Sequence, residues 1–329
     1  MSRLSCGVAI ITYNGLRYLP EQLDSITSQT KLPDHIVISD DCSTDGTWQF
    51  VEDWAKTTSI PTTLIRNTTQ QGLARNFEIS VRALATDLIF SCDQDDIWYP
   101  DKIEVMCAIM ENSSEITLAH SDALLVDSTG VSLNMTLFDG LEVTQKERDL
   151  ILQGQAFGVL YRRNLVTGAT AVFRKELVTA AFPQPPMTYH DAWLALCAAA
   201  MGKVYMVERS TIKYRQHGAN LVGVRRVKLL TRMRHLWWMV AGPKPLKIAT
   251  ENILSYRKAI KEKLASFPSV PDAYMLVAEE GLGFAAARNA LEINSISRAL
   301  NVVKLMSRGN YKRFSFEPNA DIVRDLLNR

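Results

Sequence analysis

The run Cys6-Gly-Val-Ala-Ile-Ile-Thr12 is continuously apolar and breaks at once into Tyr13-Asn14-Gly15. A short unbroken run of this kind reads as a strand buried on both faces, as in a parallel sheet. The next stretch, Leu16 to Gln29, spaces Leu19, Leu23 and Ile26 three to four residues apart, which predicts an amphipathic helix. The pair then recurs as strand His35–Ser39, helix Thr47–Lys56, strand Thr62–Ile65, helix Leu73–Ala85 and strand Leu88–Ser91. Alternation of this length predicts an α/β fold built from right-handed βαβ units, a Rossmann-like, mostly parallel sheet with helices on both faces.

In such sheets ligands bind beyond the carboxyl ends of the strands. Four successive strand ends here are polar and mostly acidic: Thr12-Tyr13-Asn14-Gly15, Asp40-Asp41-Cys42-Ser43-Thr44-Asp45-Gly46, Asn67 to Gly72 leading to Arg75 and Asn76, and Cys92-Asp93-Gln94-Asp95-Asp96-Ile97-Trp98. Beyond residue 100 the spacing predicts a helix from Pro100 through Glu111, strands Thr117–Asp122 and Ala123–Val126, and a turn at 127–130. Further on it predicts a loop into strand over Asn164–Phe173, a buried helix Asp191–Met201, and strands Val204–Val207 and Thr211–Arg215. From Arg225 onward only helical periodicity remains, including Ala285–Leu300 and Ile322–Leu327, which would complete a small bundle or a homodimer contact. Two domains are expected, 1–223 and 224–329.

Of the 329 residues 47% are apolar and 22% charged, a composition that excludes wholesale disorder. No run of 18 uncharged apolar residues occurs, and the first residues carry no signal-peptide core, so neither a membrane span nor export is expected. The five cysteines (6, 42, 92, 107, 197) form no C-x-x-C pair and leave one odd, which fits a reducing cytoplasm better than disulfides or zinc. The net charge of +2 hides an asymmetry: residues 1–224 hold 18 Lys and Arg against 26 acids, residues 225–329 hold 19 against 9. Residues 225–261 carry ten basic side chains, one acid (Glu251) and the pair Trp237-Trp238. That composition points to an anionic membrane surface, or to a helix packing its tryptophans inward. Nucleic acid is not indicated, because no recognition motif accompanies the charge.

Three carboxylates within Asp93-Gln94-Asp95-Asp96 repel one another unless a cation intervenes, and carboxylate oxygens are the ligands Mg²⁺ or Mn²⁺ prefers. The plainer reading is an acidic turn in which Asp96 or Asp101 caps a helix. No Gly-x-Gly-x-x-Gly follows the first strand and no Gly-Lys-Ser/Thr occurs, so neither a dinucleotide site nor a P-loop is supported. Asp191 in His190-Asp191-Ala-Trp, at a helix start, and His217, beside a strand end, are each weak signals alone.

Together the motifs resemble the inverting glycosyltransferases of family 2, with the GT-A fold, and among them the bacterial rhamnosyltransferase-like branch. The resemblance rests on Ile11-Thr-Tyr-Asn14, Ile38-Ser-Asp-Asp-Cys-Ser-Thr-Asp-Gly46, Gly72-Leu-Ala-Arg-Asn76, Ser91-Cys-Asp-Gln-Asp-Asp-Ile-Trp98, Val166-Thr-Gly-Ala-Thr170, His190-Asp191 and Tyr214-Arg-Gln-His-Gly218, and covers about residues 5–223. It implies that Thr12 and Tyr13 cradle and stack on the base of a nucleotide-sugar that Asn14 also helps to bind, that Asp41 accepts from the pyrimidine N3–H and that Arg75 lies on its base or phosphate side. By the same resemblance Asp93 and Asp95 form a DxD motif on ribose and metal-bound diphosphate, His217 is a third residue of the Mn²⁺ or Mg²⁺ site, and Asp191 is the catalytic base. Ala169, Thr170, His190 and Trp98 fall on the acceptor side. The implied acceptor is a glycan or lipid-linked oligosaccharide, and the implied place is the cytoplasm, peripheral on the inner membrane face. Processive synthases of the superfamily carry Gln-x-x-Arg-Trp, which is absent here, so addition of a single sugar is expected. A UDP-hexose donor, a nucleotidyltransferase or sugar-nucleotide hydrolase with the same acids, and a non-catalytic sugar-nucleotide- or lipid-binding module remain the alternatives.

Overall fold

A computed structural model describes residues 3–186, 188–217, 246–291 and 295–327. Most of the basic 225–261 segment, with Trp237 and Trp238, therefore lies outside the described residues. The chain divides into two compact units. One takes the described residues within 1–156, 165–184 and 188–224, the other those within 157–164, 185–187 and 225–329.

In the first unit the opening alternation is present: β1 (Cys6–Thr12), α1 (Leu19–Thr27), β2 (His35–Asp40), α2 (Thr47–Thr57), β3 (Thr62–Arg66), α3 (Leu73–Ala83) and β4 (Leu88–Cys92). Every residue of β1 and β4 is buried, which explains their unbroken apolar sequence. These strands pair in parallel in the order β3-β2-β1-β4, so all four polar loops emerge from one edge of the sheet.

Beyond β4 the sheet becomes mixed. The chain continues through β5 (Ile97–Trp98), α4 (Lys102–Asn112), β6 (Ile116–Val126), β7 (Ser132–Thr136), α5 (Leu137–Gly140), α6 (Gln145–Leu152) and α7 (Ala156–Arg162). A turn of 3₁₀ helix (Gly168–Thr170) then leads to β8 (Ala171–Arg174), α8 (Lys175–Ala181), α9 (His190–Met201) and β9 (Lys203–Arg215). The full order is β3-β2-β1-β4-β8-β6-β9-β5, with β7 on β6, and β8 antiparallel to both its neighbours.

Two predicted strand pairs are single strands. Residues 117–126 run without a break as β6, and residues 204–215 as β9, because the polar interruptions at Asp122 and at 208–210 are register shifts between these two parallel strands. Such irregularities re-aim side chains without ending a strand. The carboxylate of Asp122 there accepts from the backbone N–H groups of Ala123 and Phe138. Helices α5 and α6 escaped the periodicity reading but start with capping boxes, Thr136 with Asp139 and Thr144 with Glu147.

The second unit consists of α10 (Leu246–Ala265), α11 (Asp272–Asn289), α12 (Ser295–Ser307), α13 (Asn310–Phe314) and α14 (Pro318–Leu327), with Phe157 and Tyr161 of α7. The predicted helix 285–300 is two helices, α11 ending at Asn289 and α12 beginning at Ser295. Phe157 stacks on Tyr274 at 4.3 Å, and Tyr161 meets Phe314 edge-on. Arg288 is clamped in this core: Nε and Nη2 donate to the two oxygens of Asp325 at 2.7 and 2.9 Å, and Tyr311 donates to Asp325 Oδ2. Among the described residues no helix is long and apolar enough to cross a membrane.

Asp325 is fully buried, so removing it takes both of its hydrogen bonds from Arg288 and leaves Asp321, at 3.2 Å, as its remaining counter-charge. Asp325→Ala is expected to lower the unfolding free energy by about 3–5 kcal/mol, read by urea denaturation followed by circular dichroism. A loss within experimental error of zero would show that Asp321 alone satisfies Arg288.

Candidate active site

Each loop at the carboxyl edge of the parallel strands is held by a polar side chain from its neighbour. Thr12 Oγ1 donates to Asp40 Oδ2 at 2.9 Å, and Asp40 Oδ1 accepts from the Ser43 N–H. Asn14 takes a left-handed backbone (φ 50°), which asparagine tolerates, and its Oδ1 accepts from the Thr44 N–H. Asp41 is 3% exposed and accepts three hydrogen bonds, from Asn67 Nδ2 (3.0 Å), Gln71 N–H (2.7 Å) and Gly72 N–H (2.8 Å). It therefore fixes the loop ahead of α3. Arg75, on the first turn of α3, pairs with Glu78 at 2.8 Å and is largely exposed. Tyr13 is 46% exposed, and its backbone exchanges two hydrogen bonds with the Gln94 side-chain amide. That exchange ties the first loop to the acidic one.

In the acidic loop Asp95 Oδ2 lies 2.7 Å from His217 Nε2, across 122 residues of sequence. The His217 ring stacks on Tyr18 at 4.9 Å. Asp96 Oδ1 accepts from the Arg215 N–H, and Arg215 Nε donates to the Asp95 carbonyl. Arg215 is buried and pairs with Glu21 as well, so the end of β9 brings a guanidinium and an imidazole to the acids. Burial, followed by the charges of Asp95 and Asp191, pushes the Asp93 carboxyl up to about 7. Burial, then Asp95 and Asp93, also raises Asp96 well above the usual carboxylate range.

Lys102 lies beneath this loop, fully buried, with Nζ donating to the Ala169 carbonyl at 2.7 Å and sitting 3.8 Å from the centre of the Trp98 ring. Burial draws its pKa down to about 7 against the opposing pull of Cys92, Asp96 and Asp93. Ala169 belongs to the Gly168–Thr170 turn, whose first N–H points at Asp191 Oδ2 at 3.4 Å, while the Ala192 N–H donates to Asp191 Oδ1 at 2.6 Å. Asp191 thus sits in the first turn of α9 with both oxygens oriented, where the helix dipole favours a negative charge. A side chain at Gly168 would approach His190 Nε2 to 3.0 Å, a tight contact that shows how closely the turn lies against α9.

The residues expected at the site fall into two linked groups. Thr12, Tyr13, Asn14 and Asp41 gather at the ends of β1 and β2, and Asp93, Asp95, His217 and Asp191 gather around the end of β4. Trp98 (2% exposed), Ala169 and Thr170 (both 0%) present no surface to an acceptor; they form the packed layer behind the acids. His190 is 6% exposed and packs on Phe77 at 4.1 Å, its protonation opposed by burial. Lys102 and Arg215 had no assigned role in the sequence reading. Lys102 left a signal: a lysine as the first helical residue of α4 opposes the helix dipole and needs an acidic neighbour.

Carboxylates at Asp93 and Asp95 and an imidazole at His217 form a donor set that suits Mn²⁺, and the carboxylates alone suit Mg²⁺. Among the described residues no group of three or more His, Cys, Asp or Glu side chains closes around an ion. The arrangement fits a cation held by one or two carboxylates with its remaining positions left to phosphate and water.

Residues 7–176 match the model of glycosyl transferase family 2. The chain belongs to that family. This family 2 glycosyltransferase is 28% identical over 240 residues to the dTDP-rhamnosyl transferase RfbG of Shigella flexneri, covering 69% of this chain and 80% of that one. An uncharacterized glycosyltransferase of Nostoc sp. is 25% identical over 221 residues, 66% of each chain. The S. aureus TarS 1–349 structure with UDP-GlcNAc superposes with a TM-score of 0.61 at 13% identity, covering 98% of this chain and 90% of that one. The mannosyltransferase PcManGT of Pyrobaculum calidifontis, in complex with GDP-Man and Mn²⁺, superposes with a TM-score of 0.54 at 17% identity, over 100% and 88%. These likenesses place the fold among the GT-A glycosyltransferases.

Lys102→Met keeps the packing and removes the charge, leaving the Ala169 carbonyl without its donor and the acids without one of the two buried basic side chains beside them. It is expected to lower the unfolding free energy by about 2–4 kcal/mol at neutral pH, measured by chemical denaturation. An unchanged stability would mean that Arg215 and His217 alone balance the acids.

Proposed function

We propose that this family 2 enzyme is a metal-dependent, inverting glycosyltransferase that moves one sugar from a nucleotide diphospho-sugar to a glycan or a polyprenyl-diphosphate-linked oligosaccharide in surface polysaccharide assembly. dTDP-L-rhamnose is the first donor to test, since one relative, matched over 80% of its own length, is named a dTDP-rhamnosyl transferase. One observation carries the reading: Asp191 on α9, oriented by the N–H groups of Gly168 and Ala192, lies near enough to the acidic loop to raise the pKa of Asp93.

In this reading the exposed ring of Tyr13 stacks on the base, beside Thr12 and Asn14, and Asp41 shapes the loop that meets the pyrimidine edge. Arg75 reaches the phosphate side by exchanging Glu78 for the donor. Asp95, Asp93 and His217 would hold Mn²⁺ or Mg²⁺, and the ion would supply positive charge against that developing on the departing nucleoside diphosphate. Asp191 takes the proton of the acceptor hydroxyl, whose pKa lies far above neutrality, as that oxygen attacks the anomeric carbon from the face opposite the leaving group. Inversion follows from that geometry. The basic 225–261 segment would hold the enzyme on the inner face of an anionic membrane.

Asp191→Asn and Asp95→Ala are each expected to cut transfer by about 10²–10⁴-fold while the melting temperature stays close to that of the parent. Product analysis should find free nucleoside diphosphate and a glycan lengthened by one sugar of inverted anomeric configuration. Full turnover by Asp191→Asn would remove the base assignment, and turnover unaffected by EDTA would remove the metal.

A further inference from the structure

The helical unit contains a half-open cavity of about 190 Å³ whose lining residues all belong to that unit. Its walls are largely apolar, with Tyr256, Phe284 and Phe314 inside and Ile253 and Phe316 at 38% and 61% exposure on the rim. Three lining residues carry a guanidinium, Arg162, Arg257 and Arg288, and one a carboxylate, Asp321. Arg288 and Asp321 are committed to the structure: Arg288 forks Asp325, and Asp321 receives Arg288, Arg324 and Ser315.

Arg257 is different. It is 7% exposed, yet among the described residues its guanidinium donates only to the carbonyl oxygens of Tyr161 and Phe314, and it lies 3.8 Å from the centre of the Tyr161 ring. Among the described residues two of its five N–H donors find a partner, and no carboxylate takes up its charge. A cation buried without a counter-ion is costly, and one that faces a cavity is relieved when an anion enters. The planar fork of arginine suits the paired oxygens of a phosphate, while aromatic walls and an apolar rim suit a hydrocarbon chain.

We infer that this cavity binds an amphiphilic anion, a phosphate ester whose head pairs with Arg257 and whose apolar chain leaves past Ile253 and Phe316. The site uses none of the residues assigned to sugar transfer and stands independently of the donor and acceptor proposed above. An isoprenoid phosphate and a phospholipid share this chemistry.

Isothermal titration of the full chain, without sugar nucleotide, tests it with four probes: geranyl phosphate, dihexanoyl phosphatidic acid, geraniol and inorganic phosphate. At least one phosphate ester is expected to bind one to one, about tenfold or more tighter than geraniol or inorganic phosphate, and the ester that binds names the source. Ile253→Glu and Phe316→Asp change exposed rim residues, so both should melt like the parent yet bind the ester about tenfold or more weaker. Arg257→Met should abolish binding; because Arg257 also bonds two carbonyls, the rim variants decide the matter if it folds poorly. Failure of both esters, equal affinity for geraniol or inorganic phosphate, or binding indifferent to the rim substitutions would overturn the inference.

Discussion

Asp93, Asp95 and Asp96 stand within four residues of one another at the end of β4, in a loop where burial leaves little water to screen their repulsion. Two unit charges about 4 Å apart repel by about 4 kcal/mol at an effective dielectric near 20, more than a surface ion pair returns. The fold answers with basic side chains, one from the helix that follows the loop and two from far along the chain. Lys102 comes from beneath on α4, Arg215 bonds the loop backbone and Asp96 from the end of β9, and His217 meets Asp95 just beyond it. The parallel pairing of β6 with β9 carries Arg215 and His217 to this edge, so the topology of the second half of the sheet serves the charge of the first half.

Seen this way, Lys102 links two parts of the site. Its ammonium faces the acids on one side and the Ala169 carbonyl on the other, and the turn that holds Ala169 also offers its Gly168 N–H to Asp191. The acidic loop and α9, about a hundred residues apart, are thereby positioned by one buried cation. Trp98 and Thr170 belong to the same packed layer, which is why neither is exposed although both sit in motifs of the site.

Much of this was legible in the sequence, because parallel strands buried on both faces must be apolar without interruption and their ends must then turn polar. β1, β2 and β4 with their loops followed from that, whereas β3, a half-exposed edge strand, followed from the alternation of strands with helices. The mixed half was harder to read. Asp122 and residues 208–210 look like strand ends and are register shifts, a difference that depends on the partner strand rather than on local sequence. The pairing of Asp95 with His217 depends on topology, and only the family motifs pointed to it. The burial of Asp41 is similarly invisible in sequence, since its three donors come from a loop some thirty residues on. Family membership is carried by residues 7–176, whereas Asp191 and His217 lie beyond that span and take their interest from geometry.

The most direct measurement is a calorimetric titration of dTDP into the parent protein and Asp95→Ala, each with Mn²⁺ and in metal-free buffer. If the clustered acids grip a diphosphate through a cation, Mn²⁺ should tighten binding to the parent by about tenfold or more, at least about 1.4 kcal/mol, and do nothing for Asp95→Ala. Equal affinity of the parent for dTDP with and without Mn²⁺, or no binding in either buffer, would contradict it.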